Sequence, residues 1–278
     1  MITDRQTNRL FLADCLPLKQ PKFYQRFERV LNNCSIEFLF LPNTKDIWAV
    51  DFMPVQISKE KFVQFTYNPD YLQPKKYQKT ISDVDSICKA INLTTNKSKL
   101  IVDGGNVSRA SDKVVLCDKI FHENKSISER DVIKQLQGHF EVDKVFFVPW
   151  DRSDFTGHAD GMVRFIDKDT VLINDYSKEN QEFQRCFRMS LHNAGLNYIE
   201  LPYSPPNDQK SISARGVYLN YLQMKQAILV PTFKSNVDEK AIRVLEEVFK
   251  GQNITTVDSN ELADEGGILN CISWNIEM

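Results

Sequence analysis

The six cysteines, at positions 15, 34, 88, 117, 186 and 271, include no C-x-x-C pair. Thiols spaced so widely suggest neither a zinc site nor a disulfide framework. No G-x-G-x-x-G or P-loop sequence is present, which argues against a dinucleotide or nucleoside-triphosphate site. No apolar run approaches the roughly 20 residues of a membrane span. The opening Met1-Ile2-Thr3-Asp4-Arg5-Gln6 lacks the basic-then-apolar pattern of an export signal. Free thiols without such a signal suit a reducing compartment, so a cytoplasmic location is expected. Charge of one sign is also missing. Thirty-five basic side chains against 37 acidic ones leave a net charge of -2, so no bulk field favours nucleic acid or an anionic membrane. No Pro/Gly/Ser-rich linker and no low-complexity block divides the chain, so one domain over residues 1–278 is expected.

What is present is an ordinary globular balance, 42% apolar and 26% charged, enough to build a core. Stretches with apolar residues at helical spacing begin near Lys22 (KFYQRFERVLNNC), Tyr77 (YQKTISDVDSICKAI), Ser128 (SERDVIKQLQGHF), Glu179 (ENQEFQRCFRMSLHNAG) and Asp238 (DEKAIRVLEEVFK). Ser128 and Asp238 stand where helix caps belong. Between these stretches lie short β-branched or aromatic runs, among them NRLFLADCL, IEFLFLP, KLIVDGG, KVVLCDKIF, KVFFVPW, TVLIND, QAILVPTF and ITTVD, which read as strands. Helix starts recur at intervals of roughly 50–60 residues, a spacing that points to repeated units. The pattern predicts five strand-strand-helix-strand units, with a doubly wound parallel sheet as the structural competitor. Five units around an axis would bring loops from every unit to one mouth.

Four clusters carry the residues that could do chemistry: Thr44 to Pro54 (TKDIWAVDFMP), Val102 to Val107 (VDGGNV), Asp154 to Met162 (DFTGHADGM) and Glu265 to Trp274 (EGGILNCISW). Each has a bland explanation alone. Asp103-Gly104-Gly105-Asn106 is a good turn sequence. Cys271 in an apolar stretch is a good core filler, and so is Trp48. His158 and Asp160 make a loop pair or two of the three or four ligands a metal needs. The other histidines, His122, His139 and His192, fall in helix-like or strand-end contexts, so no metal is expected. Together the clusters read differently. A nucleophilic Cys271 needs a base or cation, which His158 can supply. Asp51, Asp103 and Asp160, if gathered at one mouth, make an anionic pocket suited to a planar guanidinium cation.

In this order, the four clusters resemble the family of agmatine deiminases and bacterial-type peptidylarginine deiminases. KVVLCDKIFHEN, YLNYLQMKQAILVPTFKSNVDEKAI and GGILNCISWNI extend the resemblance along nearly the whole chain. It implies an α/β fold, the five-bladed α/β propeller (pentein) of ββαβ units. It implies a hydrolytic deiminase acting on the guanidinium group of agmatine, arginine or peptidyl-arginine, with ammonia released, no cofactor, and a place in polyamine metabolism. It matches Cys271 to the nucleophile and His158 to the general acid/base. Asp160 and Asp51, the latter in a Trp-x-x-Asp motif with Trp48, match the carboxylates that grip the guanidinium. Asp103 matches an acid that orients the histidine or the substrate. Asn220 matches a polar position lining the pocket, and Gly267 belongs to the Gly-Gly pair before the nucleophile. Three positions depart from the family's pattern: Val50 stands where Arg is usual, Asp103 where Glu is usual, and Glu265 where a further glycine is common. An amidinotransferase of the same superfamily and a non-catalytic guanidinium-binding protein are the competing readings, with a cysteine protease behind them. The expected partner is a small guanidinium molecule, with no nucleic acid or membrane. A homodimer packed through helix faces is compatible with the pattern.

Overall fold

A computed structural model describes residues 1–206 and 211–278. Among the described residues, fifteen strands form five three-stranded sheets, all with the same internal plan. The first sheet to be completed along the chain holds β3 (Val55–Ser58), β4 (Lys61–Thr66) and β5 (Asn96–Ile101). The next holds β6 (Ser108–Arg109), β7 (Lys113–Cys117) and β8 (Lys144–Val148). The third holds β9 (Val163–Phe165), β10 (Thr170–Asn174) and β11 (Asn197–Leu201). The fourth holds β12 (Leu222–Gln223), β13 (Ala227–Thr232) and β14 (Asn253–Asp258). The fifth joins the two ends of the chain: β15 (Ser273–Ile276) pairs antiparallel with β1 (Arg9–Ala13), which pairs parallel with β2 (Phe38–Leu41). In every sheet two antiparallel strands are followed by a helical crossover to a parallel third, as in Val114↔Val145 or Leu229↔Thr255. A parallel pairing requires such a crossover. Five ββαβ blades therefore form the expected α/β propeller, and the doubly wound sheet is excluded.

The crossover helices form because each offers one apolar stripe. In the helix Pro21–Asn33, Phe23, Phe27 and Leu31 recur every four residues and are fully buried. Burying side chains of this size contributes about 1.5–3 kcal/mol each. Val132, Leu136 and Phe140 do the same in the helix Glu129–Phe140. Ser128 caps that helix as expected, accepting the Asp131 N–H at 3.2 Å. Asp238 is not a cap. It is the first residue of the helix Asp238–Val248, and its carboxylate accepts the Phe233 and Ser235 N–H groups and the Tyr218 hydroxyl. The stretch beginning at Tyr77 is not one helix either: a turn at Lys75–Gln78 ends before Asp83, which caps a separate helix, Val84–Ala90. Among the described residues no helix is long and apolar enough to cross a membrane.

The five connections between blades position the chemistry. Asp51 lies between β2 and β3, in the helical turn Ala49–Phe52. Asp103 lies between β5 and β6, His158 and Asp160 between β8 and β9, Asn220 between β11 and β12, and Cys271 between β14 and β15. Residues 50–60 apart in sequence thus become neighbours because each blade returns the chain to the same end of the axis.

Candidate active site

The site is assembled from the inter-blade turns. His158, only 5% exposed, stands between two carboxylates: its Nδ1 is 3.5 Å from Asp51 Oδ1, and its Nε2 is 3.0 Å from Asp103 Oδ2. Both acids are themselves buried. The same Asp103 oxygen accepts the Tyr71 hydroxyl at 2.8 Å, while Asp103 Oδ1 is buried without a partner. Asp51 Oδ1 also accepts the Gly105 N–H at 3.2 Å. Burial alone would lower the His158 pKa. The Asp51 charge and then the hydrogen bond and charge of Asp103 outweigh it and raise it to about 10. Asp51 and His158 compete for one proton. The imidazole holds it, because carboxylate oxygens face both ring nitrogens.

Gly105 must be glycine for this arrangement. A Cβ there would lie 2.5 Å from Asp51 Oδ1 and 2.6 Å from His158 Nδ1, inside the pair itself. Gly267 has a comparable duty in front of Cys271: a Cβ would lie 2.4 Å from the six-membered ring of Trp48. Trp48 therefore packs directly against the Gly267 backbone, and the Trp-x-x-Asp turn and the cysteine loop meet there. The Val50 N–H adds a 3.3 Å hydrogen bond to the Cys271 carbonyl. Downstream, the Trp274 indole donates to the Pro54 carbonyl at 2.8 Å and packs against Phe11, anchoring the strand that follows the cysteine.

A single side-chain carbonyl orders the cysteine. Asn220 Oδ1 accepts the Asn270 N–H at 3.0 Å, the Cys271 N–H at 3.3 Å and the Cys271 thiol at 3.4 Å. The Nδ2 of Asn220 and that of Asn270 both donate to Asp160 Oδ2, at 3.3 and 2.7 Å. Burial first, then the Asp160 and Asp51 charges, push the Cys271 thiol well above its ordinary value. Burial also raises the Asp160 carboxyl, against the opposing charges of His158 and Arg164. No hydrogen bond joins His158 to Cys271 among the described residues; each is held instead by its own carboxylate or amide partners.

His158, Asp160, Asn220, Gly267 and Cys271 line one cavity of about 220 Å³. Asp51, Asp103 and Trp48 do not line it: the two acids contact His158, and Trp48 packs on Gly267. The wall also includes Asp151, Asp154, Glu179, Tyr176 and Tyr203, with Phe155 at 42% exposure. Among the described lining residues there are four carboxylates and no Lys or Arg. Of the six cysteines, Cys88, Cys117 and Cys271 are buried, Cys15 and Cys34 partly so, and Cys186 is exposed. Cys271 alone lines this cavity.

A family model described as Porphyromonas-type peptidyl-arginine deiminase matches residues 12–276. The chain belongs to that family. An agmatine deiminase of Stutzerimonas stutzeri is 23% identical over 208 residues, covering 62% of this chain and 56% of that one. Such matches span 56–60% of the length of the curated relatives. In three dimensions the likeness extends further. The C. jejuni agmatine deiminase superposes with a TM-score of 0.81 at 19% identity, covering 100% of this chain and 95% of that one. DDAH from Pseudomonas aeruginosa, complexed with citrulline, superposes with a TM-score of 0.59 at 12% identity over 98% and 100% of the two chains. Both share the propeller fold with this family member.

Three contributors escape sequence reasoning. Asn270 stands beside the cysteine motif, where its adjacency is a usable signal. Asp154 accepts the Thr156 N–H and hydroxyl and the His158 N–H, and its Asp-x-Thr turn chemistry is legible. Tyr71 has no local signal, since its partner Asp103 is 32 residues away.

Proposed function

We propose that this chain hydrolyses the guanidinium group of a small cation, agmatine before arginine, through a covalent intermediate on Cys271, with residues 1–278 acting as one catalytic domain. The observation that carries the reading is a buried thiol on a cavity whose described lining holds four carboxylates, no Lys or Arg, and one imidazolium that is itself held between two acids.

In the empty site the thiol stays protonated, because burial and the charges of Asp160 and Asp51 oppose a thiolate. A guanidinium entering the same field reverses the balance: it pairs with Asp160, its positive charge offsets the field, and the thiol gives up its proton to solvent. Asp160, the acid that lines the cavity beside Cys271, orients the planar carbon, while Asp51 stays on the imidazole. The Cys271 thiolate attacks it, forming a C–S bond and a tetrahedral centre. His158 delivers its proton to one nitrogen, the C–N bond breaks, and ammonia leaves. The thiouronium adduct remains. The now neutral His158 takes a proton from water, the hydroxide adds to the carbon, the C–S bond breaks with the Cys271 thiolate leaving, and the added hydroxyl gives its proton to solvent as the ureido C=O forms. Asp103 and Tyr71 hold the imidazole throughout. Each proton transfer of this kind contributes about 10²–10⁴ in rate.

Agmatine is favoured by the part of the wall that carries Asp151 and Glu179. Burial raises both Asp151 and Glu179, and the Asp151 charge adds to the shift at Glu179. Nearby, Asn174 Oδ1 is buried without a partner. These groups suit the ammonium at the far end of agmatine, whereas an α-carboxylate finds no described Lys or Arg there. The test is turnover of agmatine, arginine and an arginine-containing peptide without added metal, scored by ammonia and ureido product. Agmatine is expected to give both products with the highest kcat/KM, and Cys271→Ser to give neither. Product formed only when an amine acceptor is supplied would favour the amidinotransferase. Silence on all three by folded, reduced protein would favour a binding protein.

A further inference from the structure

Lys119 is a buried cation close to the His158 assembly that the chemistry above leaves unused. Its side chain is 3% exposed. The Nζ lies 2.8 Å from Asp70 Oδ1 and 3.0 Å from Glu123 Oε1, and it donates to the Thr156 carbonyl at 3.1 Å. It stands over the Tyr71 ring, 4.9 Å from the centroid, and 5.3 Å from that of Trp150. Its stem fits against Gly157, where a Cβ would lie 2.7 Å from Lys119 Cδ.

These contacts reach two separate segments. One is the turn Asp70–Leu72, which carries Tyr71, the hydroxyl donor to Asp103. The other is the loop from Trp150 to Gly157, which ends at His158. Asp103 and His158 face each other between them at 3.0 Å. The cation thus ties the support of Asp103 to the loop of His158. A bare surface ion pair contributes little to any structure. This one is enclosed, with three oxygens and two aromatic faces around a single ammonium, so its loss releases both segments at once.

We propose that Lys119 is a positioning residue: by clamping Asp70 and Tyr71 to the 150–157 loop, it sets the Asp103–His158 hydrogen bond. For turnover the proposal rests on the deiminase reading, but the geometry it asserts can be measured without turnover. The variant is Lys119→Met, which keeps the stem and removes the charge. The first readout is the downfield NMR proton resonance of the His158 ring N–H, assigned by its absence in His158→Ala. It is expected to shift or broaden in Lys119→Met. The second readout is kinetic: kcat is expected to fall about 10- to 100-fold with KM within roughly twofold, the pattern of a displaced proton donor. If Lys119→Met does not fold, Asp70→Asn removes one exposed anchor and should move the same resonance in the same direction, to a smaller extent. An unchanged resonance in a folded variant overturns the proposal, even if its Tm drops, because a purely structural lysine would do just that. If the wild type itself turns over no guanidino substrate, the deiminase reading fails and the resonance alone decides the role of Lys119.

Discussion

Replacing Gly105 with alanine inserts one methyl group at the most crowded point of the site. The new Cβ would lie 2.5 Å from Asp51 Oδ1 and 2.6 Å from His158 Nδ1, where ordinary contact begins near 3.4 Å. Each partner must therefore retreat by about 0.9 or 0.8 Å, or the backbone must shift by a similar amount. Overpacking of this kind costs about 1–3 kcal/mol. Displacing a proton-transfer group by nearly 1 Å costs about 10²-fold in rate. Gly105→Ala is therefore expected to fold, to unfold at a lower urea concentration, and to lose about 10²-fold in kcat on agmatine. The assays are urea denaturation and steady-state turnover of the same preparation. A variant with wild-type stability and kcat within twofold of the wild type would refute the placement of Gly105 between Asp51 and His158.

The raised His158 pKa has a definite sign in stability. A group lifted from 6.5 to about 10 on folding contributes stabilisation that is complete below pH 6.5 and is lost as pH rises toward about 10. The Tm gap between wild type and His158→Gln should narrow across that window, and a gap that widens would contradict the assignment. Arg164 is buried, with its guanidinium 2.8 Å from Asp4 Oδ2 and donating to the carbonyls of Leu219 and Tyr221 on either side of Asn220. Arg164→Met leaves Asp4 with Arg109 alone, 3.0 Å away, and takes a donor from two backbone carbonyls, and is expected to cost about 1–3 kcal/mol in urea denaturation. A loss below about 1 kcal/mol would show that the Asp4–Arg164 pair is dispensable.

Most of the architecture is legible in sequence because its signals are local. Runs such as KVVLC and QAILVPT are nearly all apolar and β-branched, and they are the buried central strands β7 and β13. The missed strands show where such signals fail. β3 and β4 read VQIS and KFVQFT, and a glutamine interrupts the apolar pattern of each. Gln56 is nevertheless buried because its amide donates to the Glu277 carbonyl, and Gln64 because its amide donates to Asp85. Those partners lie on other elements and leave no trace in the local pattern. The helix read from Tyr77 onward is split because Asp83, with its carboxylate on the Ser86 N–H, starts a new one, a cap signature available in the sequence.

The site divides the same way. The four motif clusters single out Cys271, His158, Asp160, Asp51, Asp103, Trp48 and Gly267, the family resemblance adds Asn220, and the fold brings them to one end of the axis. Spacing could not show that Asp51 and Asp103 hold the imidazole while Asp160 lines the cavity. Nor could it show that Asn220 and Asn270 form one amide clamp on Asp160. Tyr71 and Lys119 act through contacts more than 30 residues away, which leave no local trace in the sequence.

The measurement that bears most directly on the central claim is the intact mass of the protein, acid-quenched during turnover of agmatine. The account predicts a transient species heavier than the free chain by the substrate less one ammonia, mapped by peptide digestion to Cys271 and absent from Cys271→Ser. Turnover of agmatine by Cys271→Ser at the wild-type rate, or an adduct on another residue, would contradict it.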